Sequence, residues 1–125
     1  MFTDKFATRL NSFKSNWKNT HEPSIKELIK RASSVNGLTH VDLNFPDHTN
    51  PNIKEIVSFT NDCGLKINGL AMRYYTNPSF KLGAFTNPDR KVRQEAIDLT
   101  KKAIDCLSHT DSNLLTIWLG QDGFD

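Results

Sequence analysis

Four groups of side chains in this chain are of types that bind or react, and each ends or follows an apolar run. Asn11 and Trp17 come first, then Asn44, Asp47 and His48, then Arg73, Tyr74 and Tyr75, and last Trp118, Gln121, Asp122 and Asp125. Asp47 and His48 are neighbours that could pass a proton as acid and base, or serve only as polar turn formers. Arg73 either reaches into a pocket or pairs with a nearby carboxylate such as Asp122. Tyr75 and Trp118 are rings that wall a site or fill a core. Asp122 and Asp125 could reach a ligand or a metal, or only bond backbone amides in a Gln-Asp-Gly turn. His21, His40 and His109 have no partner at ligand spacing. Cys63 and Cys106 form no metal or redox motif and read as small buried hydrophobes near helix ends.

The elements that must hold these groups are legible in the spacing. Pro23 opens a segment with Ile25, Leu28, Ile29 and Ala32 on one face, closed by Gly37. Asn50-Pro51 opens a second, with Ile53, Ile56, Val57 and Thr60 on one face and Gly64 as the stop. Asn87-Pro88 opens a third, with Val92, Ala96, Leu99, Ala103 and Leu107 in register. Asn supplies a capping oxygen, and Pro suits a first helical turn. Glu27/Arg31 and Asp98/Lys102 stand four apart with the acid first, the favourable order for surface ion pairs. Strands are expected over 5–13, 38–45, 65–72 and 114–119. The order β-α-β-α-β-α-β predicts a parallel sheet with right-handed crossovers. Either a small doubly wound sheet or half of a (β/α)8 barrel fits. The first fold wants a Gly-rich turn after its first strand, and Asn11-Ser12-Phe13-Lys14-Ser15 is not one. Both folds put function at the carboxyl ends of the strands, where the four groups lie.

Composition narrows the class. The chain has 125 residues, a formal net charge of +2 and 37% hydrophobic residues, lean for a self-sufficient core. Basic residues are scattered, with no run longer than Lys101-Lys102, which argues against nucleic-acid or membrane partners. The start, Met1-Phe2-Thr3-Asp4-Lys5, lacks an apolar signal core, so a cytoplasmic location with reduced thiols is expected. The segment from Leu114 to Leu119 is a buried-type strand that wants a neighbour on each side and a helix after it. The expectation is one domain over 1–125 holding the first four βα steps of a barrel of about 250 residues, the N-terminal half.

One family matches these residues. The stretch Tyr75-Thr76-Asn77-Pro78-Ser79-Phe80-Lys81-Leu82-Gly83-Ala84-Phe85-Thr86, followed by Asp89-Arg90-Lys91-Val92-Arg93 and Ala96-Ile97, resembles xylose isomerase after its third strand. There the pattern runs aromatic-Thr-His-Pro-x-Phe-Lys-x-Gly-Gly-Phe-Thr, then an Asp-Arg-x-Val-Arg helix start ending in Ala-Ile. Trp118-Leu119-Gly120-Gln121-Asp122-Gly123 is similar to that family's Trp-Gly-Gly-Arg-Glu-Gly at the end of strand four. The two matches come in the family's order, one long helix apart, and cover about half of the chain.

The resemblance implies an α/β fold of the (β/α)8 TIM-barrel type and a sugar isomerase of the xylose isomerase-like superfamily. Such enzymes interconvert aldoses and ketoses with a divalent metal (Mg, Mn or Co) that polarises the substrate oxygens. It implies Tyr75 and Trp118 as pocket walls, since a sugar's C–H face stacks on an aromatic ring that also excludes water. Asn44, Arg73, Gln121 and Asp122 follow as hydroxyl contacts. Asn44 stands where the family carries a ring-opening His, and an amide has no proton to exchange near neutral pH; His48, four residues on, could substitute if the turn folds back. Gln121 replaces an Arg and Asp122 a Glu. These departures fit a relative acting on another sugar, rhamnose-isomerase-like, or a sugar epimerase. The family's metal ligands lie on strands five to eight, so this chain is expected to bind no metal and to be inactive alone. The parent is expected to take a small sugar and to be a homo-oligomer. Two rivals remain. An apurinic-site endonuclease of the same superfamily is disfavoured by Asn44 and the near-neutral charge. A non-catalytic half-barrel that binds a partner or dimerises is the other.

Overall fold

Each helix in the computed structural model, which describes residues 4–18, 20–50 and 52–120, starts on a side chain that accepts a backbone N–H. Helix α1 spans Ile25–Ser33 and opens on a capping box. The Ser24 side chain accepts the Glu27 N–H, and the Glu27 carboxylate accepts the Ser24 N–H at 2.8 Å. Helix α2, Ile53–Asp62, is capped by Asn52, and α3, Arg90–Leu107, by Asp89. The caps of α2 and α3 therefore lie two residues beyond the expected Asn50 and Asn87. Asn87 is instead buried, donating to the Gly83 carbonyl at 2.8 Å and accepting the Asp89 N–H at 3.0 Å. It builds the turn before the helix and leaves Asp89 to cap. The expected surface pairs also give way to closer partners. Glu27 is taken by Ser24 and His21, Arg31 donates to the Phe13 carbonyl, and Asp98 accepts from Gln94.

Between the helices run β1 (Ala7–Arg9), β2 (His40–Phe45), β3 (Lys66–Met72) and β4 (Leu115–Thr116). They form a four-stranded sheet in sequence order, β1-β2-β3-β4, with every pairing parallel. Successive parallel neighbours joined by helices make consecutive βα steps, compatible with a partial (β/α)8 barrel, although four strands do not themselves close one. The sheet has one irregularity. Val41 pairs with Ile67 but Asp42 with Gly69, so Asn68 is the extra residue of a bulge. Its side-chain amide donates to the Asp42 carboxylate at 2.8 Å.

Alternation along the strands gives the sheet two unlike faces. Val41, Leu43 and Phe45 from β2, with Ile67, Leu70 and Met72 from β3, are buried in one cluster with Leu28, Ile29, Ala32, Ile56, Ala96 and Ala103 from the helices. The other row reads Arg9, Asp42, Asn44, Ala71 and Thr116, matched across the pairings Arg9↔Asp42, Asn44↔Ala71 and Ala71↔Thr116.

The outer strands are shorter than the 5–13 and 114–119 expected. After Arg9 the chain tightens into a 3₁₀ turn, Leu10–Lys14. Among the described residues, β1 pairs only with β2, and β4 only with β3, so each has half the ladder that holds a central strand. The burial expected for 114–119 is not found either: Leu114, Ile117, Trp118 and Leu119 are 46%, 50%, 48% and 40% exposed. Cys63 and Cys106 are half-buried rather than buried.

Candidate functional site

The polar groups at the carboxyl ends of β2 and β3 sort into two assemblies. The first is the end of β2. Past Phe45 the Phe45–Pro46 peptide is cis, and the chain folds back on its own strand. The His48 N–H donates to the Asn44 carbonyl at 2.8 Å, and the Asn44 N–H donates to His48 Nδ1 at 3.0 Å. A ring nitrogen that accepts an N–H carries no proton, so the imidazole is the Nε2–H tautomer. His48 is 2% exposed. Burial holds its pKa down to about 4, with Lys14 and Arg73 adding to the effect and Asp47 opposing it. The turn does fold back as an exchange of roles with Asn44 requires. Yet Nδ1 is committed to the backbone, so the ring offers a fixed donor rather than a free base. Asn44 itself is 2% exposed, and its side-chain Nδ2 has no hydrogen-bond partner. The same holds for Asn11 Oδ1, buried in the 3₁₀ turn beyond β1.

The second assembly, at the end of β3, is charged and wet. Arg73 Nη1 donates to the Asp47 carboxylate at 3.2 Å, and Nε donates to the Tyr75 hydroxyl at 3.1 Å. The guanidinium carbon lies 5.2 Å from the Tyr75 ring centre, within cation–π range. Among the described residues, the carboxylate partner of Arg73 is thus Asp47. Tyr75 is 44% exposed. Its neighbour across the gap is Gly120, at φ +70°, where a Cβ would stand 2.8 Å from Tyr75 Cδ1. Only glycine allows both that backbone and that approach. The chain after β4 therefore leans on Tyr75, two residues past Trp118.

Trp118 faces the other way along the sheet, with the Arg9 guanidinium 4.7 Å from its ring centre. Arg9, Asp42, Ala71, Thr116 and Trp118 line a cleft of about 120 Å³ on the open face. Arg9 and Asp42 were not singled out from the sequence. The signal was there, since Asp42 and Asn44 alternate with Val41, Leu43 and Phe45, which marks a strand with one polar face. A larger cavity, about 680 Å³, lies at the amino ends and is bordered by Lys5, Thr39, His40, Lys66, Asn68 and Ser112 among others. It has no Phe, Tyr or Trp in its wall, and the reactive groups described above stand at the opposite end. His40 there has its pKa lowered by burial first and then by Lys5 and Lys66.

Of the residues expected at the site, Asn44, Arg73, Tyr75 and Trp118 stand at strand ends or on the open face. Gln121 and Asp122, with Asp125, lie outside the described residues. Trp17 lies apart, its indole N–H donating to the His21 carbonyl at 2.9 Å beside α1. Tyr74 is core, fully buried, with its ring edge-on to Phe80 and Phe85 and its hydroxyl bonded to Thr100. Among the described residues no three His, Cys, Asp or Glu side chains converge as a set that could hold a metal ion. The divalent metal implied by the resemblance has no fitting ligands there, and no step of chemistry follows through one. No helix of the described residues is long and apolar enough to cross a membrane.

No family model matches the chain. It is 26% identical over 78 residues to a xylose isomerase of Thermus thermophilus, over 62% of this chain and 20% of that protein. The match thus spans a small part of the relative's length, and the likeness supports the superfamily at most.

Proposed function

We propose that residues 1–125 supply the first four βα steps of a sugar isomerase-like barrel, and that the open face and carboxyl ends of the sheet form part of its sugar pocket. Tyr75 and Trp118 act as walls; Asn44, Arg73, Gln121 and Asp122 bond hydroxyls. The whole protein then carries out aldose–ketose isomerisation, with its metal held by residues other than those described. The observation that supports this most is the end of β3. An exposed ring is fixed by an arginine that is itself fixed by a carboxylate, so a flat apolar surface and directional polar groups stand side by side. Carbohydrates present the same pairing of a C–H face with hydroxyls.

Saturation-transfer NMR of the chain with millimolar aldopentoses tests the reading. Transfer from protein to sugar C–H protons is expected, and Tyr75→Ala and Trp118→Ala should each weaken binding about tenfold, the loss of ~1.4 kcal/mol. Absence of transfer, or transfer unchanged in both folded variants, would sink it.

A further inference from the structure

We infer that the cavity at the amino ends of the strands binds the phosphate group of a small molecule, held by Lys5, Lys66 and His40; this site is independent of the sugar-pocket reading, which uses the opposite end of the sheet.

Register brings the three groups together. His40 opens β2 and pairs with Lys66, the first residue of β3. The two side chains therefore leave the sheet on one face, from strands about 4.8 Å apart. Ala7 is the partner of His40 on β1, and Lys5 lies two residues before it. All three border the cavity of about 680 Å³, which is within the size range of small-molecule sites. Among the described residues neither lysine ammonium has an ion pair. Two carboxylates, Asp4 and Asp111, border the same cavity, yet neither pairs with Lys5, Lys66 or His40.

Both walls are built before any ligand arrives. The Thr39 hydroxyl accepts the Phe6 N–H at 2.9 Å, donates to the Phe6 carbonyl at 3.1 Å and stands 2.7 Å from His40 Nδ1. A hydroxyl has one proton, so all three contacts are met when Nδ1–H donates to it. That leaves Nε2 as the ring's available atom, a lone pair in the neutral ring and a second donor once protonated. On the far wall Ser112 Oγ donates to the Asn68 carbonyl and accepts the Leu114 N–H at 3.1 Å. Gly69 admits this turn, since a Cβ there would stand 2.8 Å from the Leu114 carbonyl oxygen.

Charge selects the guest. The His40 ring is kept from protonating by burial first and by Lys5 and Lys66 next, with Asp42 opposing. A doubly charged oxyanion between the two ammonium groups offsets their repulsion of the ring proton, so Nε2 becomes a third charged donor. Two negative charges and three donors suit a phosphate monoester better than a single carboxylate. Asp4 and Asp111 on the same border repel extended polyanions. The cavity is larger than a phosphate ion, and Asn113 and Asp111 stand on its border to meet hydroxyls of an attached organic group.

The test follows the full chain by NMR at pH 8 with inorganic phosphate and with glycerol phosphate. Saturable shifts are expected at His40, Lys66 and Ser112, with the Trp118 indole N–H unmoved. Lys5→Gln and Lys66→Gln should each weaken binding about tenfold at unchanged Tm, both side chains being exposed. Lys102→Gln, on α3, should leave binding unchanged. Sulfate, doubly charged throughout the titration, should raise the pH at which the His40 ring titrates, relative to sodium chloride of equal ionic strength. Tighter binding of the ester assigns the cavity to an organic phosphate and equal binding assigns it to the free ion; both support the site. Shifts that do not saturate, or that are as large at Lys101 and Lys102, mean general counter-ion attraction and overturn it. Absence of a shift at His40, a ring titration that sulfate leaves unmoved, or unchanged affinity in both folded lysine variants overturns it as well.

Discussion

The ends of β2 and β3 are neighbours in one sheet, yet they handle polar groups in opposite ways. At β2 a histidine and an asparagine are buried at 2% exposure each, uncharged, and locked by backbone hydrogen bonds. At β3 an arginine and a tyrosine, joined by Asp47 from the turn after β2, share direct side-chain bonds where water reaches them. The difference lies in what each strand meets next. After β2 the chain doubles back on itself and covers its own end. After β3 it climbs into two 3₁₀ turns, Tyr74–Thr76 and Pro78–Phe80, whose buried residues are Tyr74 and Phe80, leaving Tyr75 outside. Desolvation makes the first end rigid and sensitive to protonation, whereas hydration makes the second tolerant. The carboxyl side of the sheet thus has one fixed edge and one adjustable edge.

Acid should break the first edge, with the largest effect. The folded pKa of His48 is lowered from 6.5 to about 4, so below pH 6.5 the unfolded chain takes up a proton that the folded chain refuses. The associated stability is complete above pH 6.5 and is lost as pH falls towards 4. Two to three pH units of depression correspond to about 3 kcal/mol. Denaturation by urea at a series of pH values should show this loss, and His48→Gln should flatten the curve over that window. Glu27 provides an internal control. Its pKa is lowered to about 2, chiefly by the Ser24 backbone N–H, so its contribution disappears only below 4.5. A wild-type curve parallel to that of His48→Gln between pH 6.5 and 4 would contradict the buried, neutral ring.

A smaller effect is expected where β4 meets the second edge. Gly120→Ala places a Cβ against the Tyr75 ring and forces a side chain into left-handed backbone, a cost of about 1–2 kcal/mol. Because Tyr75 is exposed and held by a single arginine, the ring should move rather than the fold fail. Tyr75 ring resonances should shift while those of Leu43 and Met72 stay. Shifts spread through the β2–β3 core would mean that the second edge is as rigid as the first.

How far this contrast was legible in the sequence depends on the range of the interactions. Helical spacing placed α1, α2 and α3, because periodicity at three and four residues is local and survives any context. The polar row Asp42-x-Asn44 was equally local, although only Asn44 was picked out. The strand limits were less legible. Residues 114–119 have the composition of a buried strand, but a strand's length depends on its partners, and β4 has one. The fold-back at His48 and the Asp47–Arg73 pair depend on where the turn after β2 lands, 26 residues from Arg73. Sequence spacing alone left that arginine either reaching into a pocket or pairing with a nearby carboxylate such as Asp122. The unpaired amide atoms of Asn11 and Asn44 were illegible, since lacking a partner is a property of the surroundings and not of a residue.

The smallest effect sharpens the comparison from the hydrated side. Asp47→Asn removes the charge that brackets Arg73 but leaves the Arg73–Tyr75 hydrogen bond in place. Surface ion pairs contribute about 0–1 kcal/mol, and Asp47 is 39% exposed, so stability should fall by less than ~1 kcal/mol and the difference should shrink further in high salt. Binding should be affected more than stability. With Asp47 neutral, the guanidinium loses its charged acceptor and is held less firmly, and a polyol that bonds Arg73 must order it on arrival, an added entropic cost. The expected signature is aldopentose affinity reduced severalfold at constant Tm, with the Tyr75 ring still in contact with the sugar by saturation transfer. If Asp47→Asn instead lowers Tm as far as acidification of His48 does, the charged end is part of the fold's framework, and the division between a fixed and an adjustable edge fails.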